Sequence, residues 1–294
     1  MKMSKPKLLI AVPSRNRYRE NEILKNTWSW LQHSKYDHKV FVEPHEYGFY
    51  KDAIGEGNII KLGEDNAGLG YCKLCIQQYA RENGYDLIMK IDDDIFNWYD
   101  YKNGWYRYYK KTNGVPMSER KKAICEDVFD RVVADGIEII KYSKQVGGVG
   151  YPDGSSMFHE PGQKWLRFNG RFMAAYITRT ELFCPPRSRE LSQFEDFYTA
   201  YNILRQDKFI PYYGLAGYCE GGSGEGKNKG GFQDFDRMKL SDESRKIAEE
   251  IWPNELHYKI YKEGQPDQYM GLNIPKIKAL KLIPVPEDVK KNLG

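Results

Sequence analysis

The feature that most narrows the fold is a rhythm of short, unbroken apolar runs alternating with helical periodicity through the first third of the chain. Lys7–Pro13 (KLLIAVP) carries no polar interruption after its first residue and stops at a proline, followed by the polar Ser14-Arg15-Asn16-Arg17. A strand apolar on both faces belongs inside a sheet. Helical spacing follows near Asn21–His33, strands near His38–Val42 and Asn58–Leu62, a helix near Gly68–Asn83, and an apolar strand over Asp86–Ile91. The order β-α-β-(α)-β-α-β predicts parallel strands joined by right-handed crossovers, and open sheets of this kind gather ligands beyond the carboxyl ends of their strands. The expected class is α/β, with a Rossmann-like βαβ half and a mostly parallel central sheet followed by a mixed half.

Past Asp94 the rhythm breaks. Trp, Tyr, Lys and Arg interleave over Asn97–Gly114, and a long helical stretch runs from Ser118 to about Lys144. Lys164–Phe183 reads as strands around the turn Asn169-Gly170, and Ser192–Gln206 as a helix opened by the capping box Ser192-x-x-Glu195. Short strands, the glycine loop Gly221–Gly231 and helices near Ser241–Trp252 and Asn254–Lys262 complete the chain. With no repeat and no linker-like stretch, one domain over residues 1–294 is the economical division.

Composition removes several classes. With 40% hydrophobic and 29% charged residues in 294, the chain is no disordered or low-complexity polymer. Forty-five basic residues against 41 acidic ones leave +4, too little for a global polyelectrolyte, so any nucleic-acid contact must come from local patches. No apolar run approaches the roughly 18 residues of a membrane span, and Met1–Pro6 leads straight into a strand, so the expectation is a chain neither secreted nor membrane-anchored. Five cysteines, odd in number and scattered, suit a reducing compartment and place it in the cytoplasm. Cys72-x-x-Cys75 lacks a second pair and falls on a helical stretch, which puts both thiols on one buried face rather than on a metal. Tyrosine, at 23, outnumbers phenylalanine and tryptophan together, as befits half-wet surfaces that stack on sugars or bases.

The chemistry starts at Ile91-Asp92-Asp93-Asp94-Ile95, three carboxylates ending an apolar strand. Charge there needs a partner. Alternation along an extended chain would point Asp92 and Asp94 to one side, where a hard divalent cation bridged to a diphosphate is the natural counter-charge. Upstream, Asn66-Ala67-Gly68-Leu69-Gly70 lies between a strand and a helix, where Gly68 and Gly70 either let a ligand approach the helix N-terminus or serve a tight turn. Phe194-Glu195-Asp196-Phe197 opens a later helix. Glu195 fits either the capping box or the chemistry, whereas Asp196, flanked by aromatics, suits a general base for a hydroxyl acceptor.

Three stretches together, IAVPSRNR, NAGLGYCKLCIQQYAREN leading into LIMKIDDDI, and FEDFYTAY, resemble the GT-A fold nucleotide-sugar glycosyltransferases over roughly residues 7–215. The resemblance implies a UDP-sugar donor and a manganese or magnesium ion. It further implies a nucleotide-sugar-binding half over residues 1–95 and an acceptor half over 96–294, with a basic aromatic insert at 97–122. Carried over by position, Pro13, Ser14, Arg15, Asn16, Gly68 and Gly70 hold the nucleotide together with Asp92 and Asp93; Asp92 and Asp94 hold the metal; and Asp196, seconded by Glu195, activates the acceptor in an inverting reaction. Many members add a histidine ligand near the end of the domain, but no histidine occurs in Tyr213–Gly231, and His159 would have to arrive from elsewhere.

Gly221–Gly231 nearly spells a P-loop, yet Asn228 stands where a Ser or Thr would hold magnesium. A lid over 220–231 whose Lys227 and Lys229 close on a diphosphate is one role for it, and a plain surface loop the other. In the insert, Trp105, Lys110 and Lys111, with Lys121, Lys122 and the later Trp165, either stack and neutralise an acceptor or cover a core. With its insert the chain resembles, more narrowly, the bacteriophage glycosyltransferases associated with base-hydroxylating (TET-like) enzymes. These modify hydroxymethylated pyrimidines in DNA, which would place the protein in a host cytoplasm with DNA as partner. A surface-polysaccharide or lipopolysaccharide transferase of the same fold is the alternative. A non-catalytic DNA-binding module would not need the acidic triplet, and a D-x-D-x-T phosphohydrolase would carry its motif after the first strand.

Overall fold

The structure is a computed structural model that describes residues 6–18, 22–100, 117–152, 166–167, 172–185, 187–191, 193–206, 208–214, 216–220, 237–253, 256–260 and 268–272. Its strands are β1 (Leu8–Pro13), β2 (Asp37–Val42), β3 (Ile59–Lys61), β4 (Leu87–Ile91), β5 (Ile95–Asp100), β6 (Gly148–Gly150), β7 (Leu166–Arg167), β8 (Ala175–Arg179), β9 (Tyr212–Tyr213), β10 (Ala216–Glu220), β11 (Leu256–Ile260) and β12 (Gln268–Leu272). The helices are α1 (Glu22–Lys25), α2 (Thr27–Leu31), α3 (Tyr47–Ile54), α4 (Gly68–Glu82), α5 (Met117–Tyr142), α6 (Glu195–Arg205) and α7 (Arg237–Ile251).

One large sheet carries the order β3-β2-β1-β4-β8-β6-β9-β7. β3, β2, β1 and β4 pair in parallel, as the alternating pattern predicts. β8 runs against both its neighbours, β4 and β6, and β9 is parallel to β6 again. The sheet therefore continues across residue 95. Its two faces are set by alternation along β1. Leu8, Ile10 and Val12 join Met89, Ile91, Trp30 and the α5 residues Val132, Val133, Ile137 and Ile140 on one side. Leu9 and Ala11 join Phe41, Ile88, Tyr176 and the α4 residues Cys72, Ile76 and Ala80 on the other. Cys72 is thus a core residue, and its burial pushes the thiol up. No helix among the described residues is long and apolar enough to cross a membrane.

Four local expectations need correction. The stretch near Asn21–His33 is not one helix but α1 and α2, separated at Asn26. Residues 97–100, read as the start of the basic aromatic insert, belong to β5, which pairs antiparallel with β10. The strands around Asn169-Gly170 do not pair with each other: β7 lies against β9 and β8 between β4 and β6. The helix expected over Asn254–Lys262 is instead β11, paired with β12. Leu256, Tyr258 and Ile260 alternate there with His257 and Lys259, a period of two rather than 3.6.

Gly70 shows how tightly α4 is seated. Its N–H donates to Leu191 O at 3.1 Å, and a Cβ at this position would stand 1.9 Å from Ser188 O and 2.5 Å from Leu191 O. These are rigid backbone atoms, so Gly70→Ala is expected to cost about 3 kcal/mol or more in urea denaturation. Gly48, inside α3 with open space around it, makes the control: Gly48→Ala should stabilise by about 0.5–1 kcal/mol. Equal effects at the two positions would refute this account of Gly70.

Candidate active site

At the carboxyl end of β4 the chain turns through Asp92-Asp93-Asp94 and returns as β5. The three acids sit in a turn rather than on an extended strand, and the turn is clamped at both ends. Asp92 N donates to Ala174 O at 2.9 Å; Thr27 Oγ1 donates to Asp92 O at 2.7 Å; Trp30 Nε1 donates to Ile95 O at 2.9 Å. The acids then diverge in role. Asp93, buried, accepts from Ser14 Oγ at 2.7 Å and from Arg17 Nε at 3.0 Å. Asp92 and Asp94 stay half-open and converge with Glu220, so that one carboxylate oxygen from each lies within 4.8 Å of the others. Glu220 comes from the end of β10, where a register shift between Cys219 and Glu220 re-aims the strand beside Ile95.

Three carboxylates at this spacing repel one another. Burial, then the charges of Asp93 and Asp92, push Asp94 up to about 8 against the pull of Arg17, whose terminal nitrogen lies 3.1 Å from Asp94 Oδ2. An all-oxygen donor set whose members repel so strongly suits a hard divalent cation. Among the described residues, the third member of this group is a glutamate.

Asp196 stands beyond Lys90 from Asp92. α6 begins at Glu195, not three residues earlier: its N-cap is Phe194 in the left-handed region at φ 63°, with no side-chain cap, so Glu195 is not the return arm of a capping box. Both acids fall in the first turn, where the helix dipole favours negative charge. Asp196 Oδ1 accepts from Lys73 Nζ at 3.2 Å and Oδ2 from Lys90 Nζ at 3.3 Å. Both ammonium groups are fully enclosed. Lys73 also donates to Thr199 Oγ1 and Glu195 O, and both lysines approach the face of Tyr176. Burial alone would raise Asp196, but Lys90 and Lys73 outweigh it and hold the carboxyl below its usual range. Burial and the neighbouring Asp196 charge push Glu195 up to about 8. One acid of the pair is ionised near neutrality and the other protonated, the asymmetry that separates a base from its supporting acid.

The loop after β1 lies against the acidic turn. Pro13 ends the strand opposite Phe41. Ser14 is occupied by Tyr50 and Asp93, and Asn16 sits at φ 60° with its N–H on the Glu46 carboxylate. Arg15 reaches Glu43 and Asn66, while Arg17 reaches the acidic turn. Gly68, at φ +83°, opens α4 in a conformation that requires glycine. Gly70 has a packing role: its N–H is taken by Leu191 O. Glu43, nine-tenths buried at the end of β2, keeps carboxylate oxygen Oε2 without a hydrogen-bond partner.

The structure therefore gathers Asp92, Asp94, Asp196, Glu195, Ser14, Arg15 and Asn16 around one rim. It adds Arg17, Lys73, Lys90, Glu43 and Glu220, which the sequence did not single out. Of these, Lys73 and Lys90 carried a signal, each being a charged residue inside an otherwise apolar helix face or strand. Trp105, Lys110, Lys111, His159, Trp165, Lys227 and Lys229 lie outside the described residues, as do the side chains of Lys121 and Lys122.

A parallel four-strand start reversed at β8 sets these acids at the carboxyl end of the sheet. The chain belongs to the TET-associated glycosyltransferase family, whose model matches residues 9–180. No curated protein matches it. Among solved structures it is similar to a mannosyltransferase from Pyrobaculum calidifontis in complex with GDP-Man and Mn2+, at 12% identity over 71% of this chain and 55% of that one, with a TM-score of 0.45. GalNAc-T7 with UDP, GalNAc and Mn2+ shares 9% identity over 74% and 44%, with a TM-score of 0.39. A cytidylyltransferase from Leptospira borgpetersenii shares 13% over 88% and 99%, at 0.38. The chain thus spans about half the length of the two transferases.

The raised Asp94 carboxyl makes a pH prediction. Near pH 6 the folded chain holds a proton on Asp94 that the unfolded chain, with the ordinary value of 3.8, has released. Stability from this group is therefore lost as pH rises from about 4 to 8. With chelator present, the melting temperature of Asp94→Asn minus that of wild type should climb across this window. Mn2+ should stabilise wild type and leave Asp94→Asn unmoved. A pH-independent difference would refute the assignment.

Proposed function

We propose that the protein transfers a sugar from a UDP-sugar to a hydroxyl on modified DNA, either 5-hydroxymethylcytosine or a sugar already attached to it, with inversion and with Mn2+ or Mg2+. The observation that carries this reading is the pairing of an acid triad, Asp92, Asp94 and Glu220, with an ionised Asp196 on the same rim and one ammonium between them. The family name supports the acceptor class, since TET-like enzymes produce hydroxymethylated bases.

The triad would hold the ion, which supplies counter-charge to the departing diphosphate. The donor's nucleoside belongs beside the β1 loop. Arg15 and the open turn at Gly68 line the path of the diphosphate. Asp196 accepts the proton of the acceptor hydroxyl as it attacks the sugar, and Glu195, protonated, stabilises the negative charge beside it. Lys227 and Lys229 would close over the donor, and Trp105, Lys110, Lys111 and Trp165 would meet the acceptor.

Incubation with Mn2+, a panel of UDP-sugars and either hydroxymethylated duplex or oligosaccharide tests the reading. DNA should be the acceptor, and its affinity should fall with salt at a log–log slope near −0.9 per phosphate contact. Changing Lys110, Lys111, Lys121 and Lys122 to Gln should flatten that slope. Asp196→Asn should keep donor binding and cut turnover about 10²-fold or more. Transfer to oligosaccharide with salt-independent or absent DNA binding would favour the surface-polysaccharide alternative.

A further inference from the structure

The mechanism above gives no step to Lys90, which with Lys73 is one of the two most enclosed charges of the site. It occupies the middle of the central sheet, where Leu87, Ile88, Met89 and Ile91 around it are apolar, and its register partner across β8 is Tyr176. An ammonium is kept there only if its surroundings compensate the lost hydration. Three contacts do so. Asp92 Oδ1 lies 2.6 Å away, Asp196 Oδ2 lies 3.3 Å away, and the Tyr176 ring faces it at 5.8 Å. Lys73, also enclosed, grips the opposite oxygen of Asp196 at 3.2 Å. The chain Lys73, Asp196, Lys90, Asp92 thus runs unbroken from the acceptor side to the metal side, and its central link is a single side chain.

Resting on the donor and acceptor roles given above, we propose that Lys90 is a positioning residue that fixes Asp196 relative to the metal triad. Its ammonium sets the distance between the acid that receives the acceptor proton and the acid that would ligate the ion. It would also compete with that ion for the Asp92 carboxylate, because two cations would share it. Its presence therefore weakens metal binding while aiding turnover, a trade that a merely structural lysine would not make.

The opposite signs give the test. Mn2+ affinity, read directly by electron paramagnetic resonance titration without donor or acceptor, should be about tenfold tighter in Lys90→Met, since a like charge is removed beside the ion. With saturating Mn2+ and the donor and acceptor pair that turns over in the panel, kcat should fall at least tenfold with donor KM little changed, and Lys90→Arg should recover much of kcat. The double variant with Asp196→Asn should be no slower than Asp196→Asn alone, because Lys90 acts through that carboxylate.

Parallel weakening of metal binding and turnover, or effects that multiply in the double variant, would overturn the proposal. Should Lys90→Met not fold, the polar, uncharged Lys90→Gln is read in the same Mn2+ titration and in the same cycle with Asp196→Asn, with the same two outcomes. Near-normal turnover of Asp196→Asn alone would instead sink the acceptor-base role itself, whatever Lys90 does.

Discussion

At the end of β4, carboxylates and ammonium groups are packed where little water reaches, and none of them is tolerable there alone. Asp196 needs Lys73 and Lys90; Lys90 needs Asp92 and Asp196; Asp93 needs Arg17 and Ser14. Breaking one partner of such a set leaves a stranded buried charge, which costs far more than the pair contributes when intact. This mutual dependence fixes the relative placement of elements far apart in the chain. β1, α4, β4 and α6 meet here because their charges must.

The donor-side architecture was legible for a physical reason. Parallel strands buried on both faces write themselves as apolar runs, and Lys7–Pro13 and Asp86–Ile91 were placed to within a residue or two of β1 and β4. The same logic exposed the aspartates, since three carboxylates after such a run demand a partner. What could not be seen was the partner. Glu220 is brought to Asp94 by the pairing of β5 with β10 and by an irregularity in that pairing, and neither leaves a periodic trace. Arg17, Lys73 and Lys90 were visible only as ordinary cations until the fold enclosed them. Glu195 and Ser192 spelled a capping box, but Phe194 adopts a left-handed backbone and starts the helix later. Tertiary demand outweighed the local signal there.

Glycines show the same division. Gly68 and Gly70 are two residues apart and look alike as sequence, yet one is required by its own φ and the other by the backbone of Leu191. A motif read as one ligand-binding device is two separate constraints, one on the backbone angle and one on packing.

The reversed direction of β8 has a consequence for how such a protein can diversify. Because β8 opposes β4, its first residue, Ala175, lies against Ile91 at the acidic end of the sheet. The chain entering β8 therefore arrives at the same rim that the parallel strands leave. Segments inserted before β8 can remodel that rim while the registers of β1, β2 and β4 stay untouched. One rim thus joins a fixed parallel platform to a replaceable doorway.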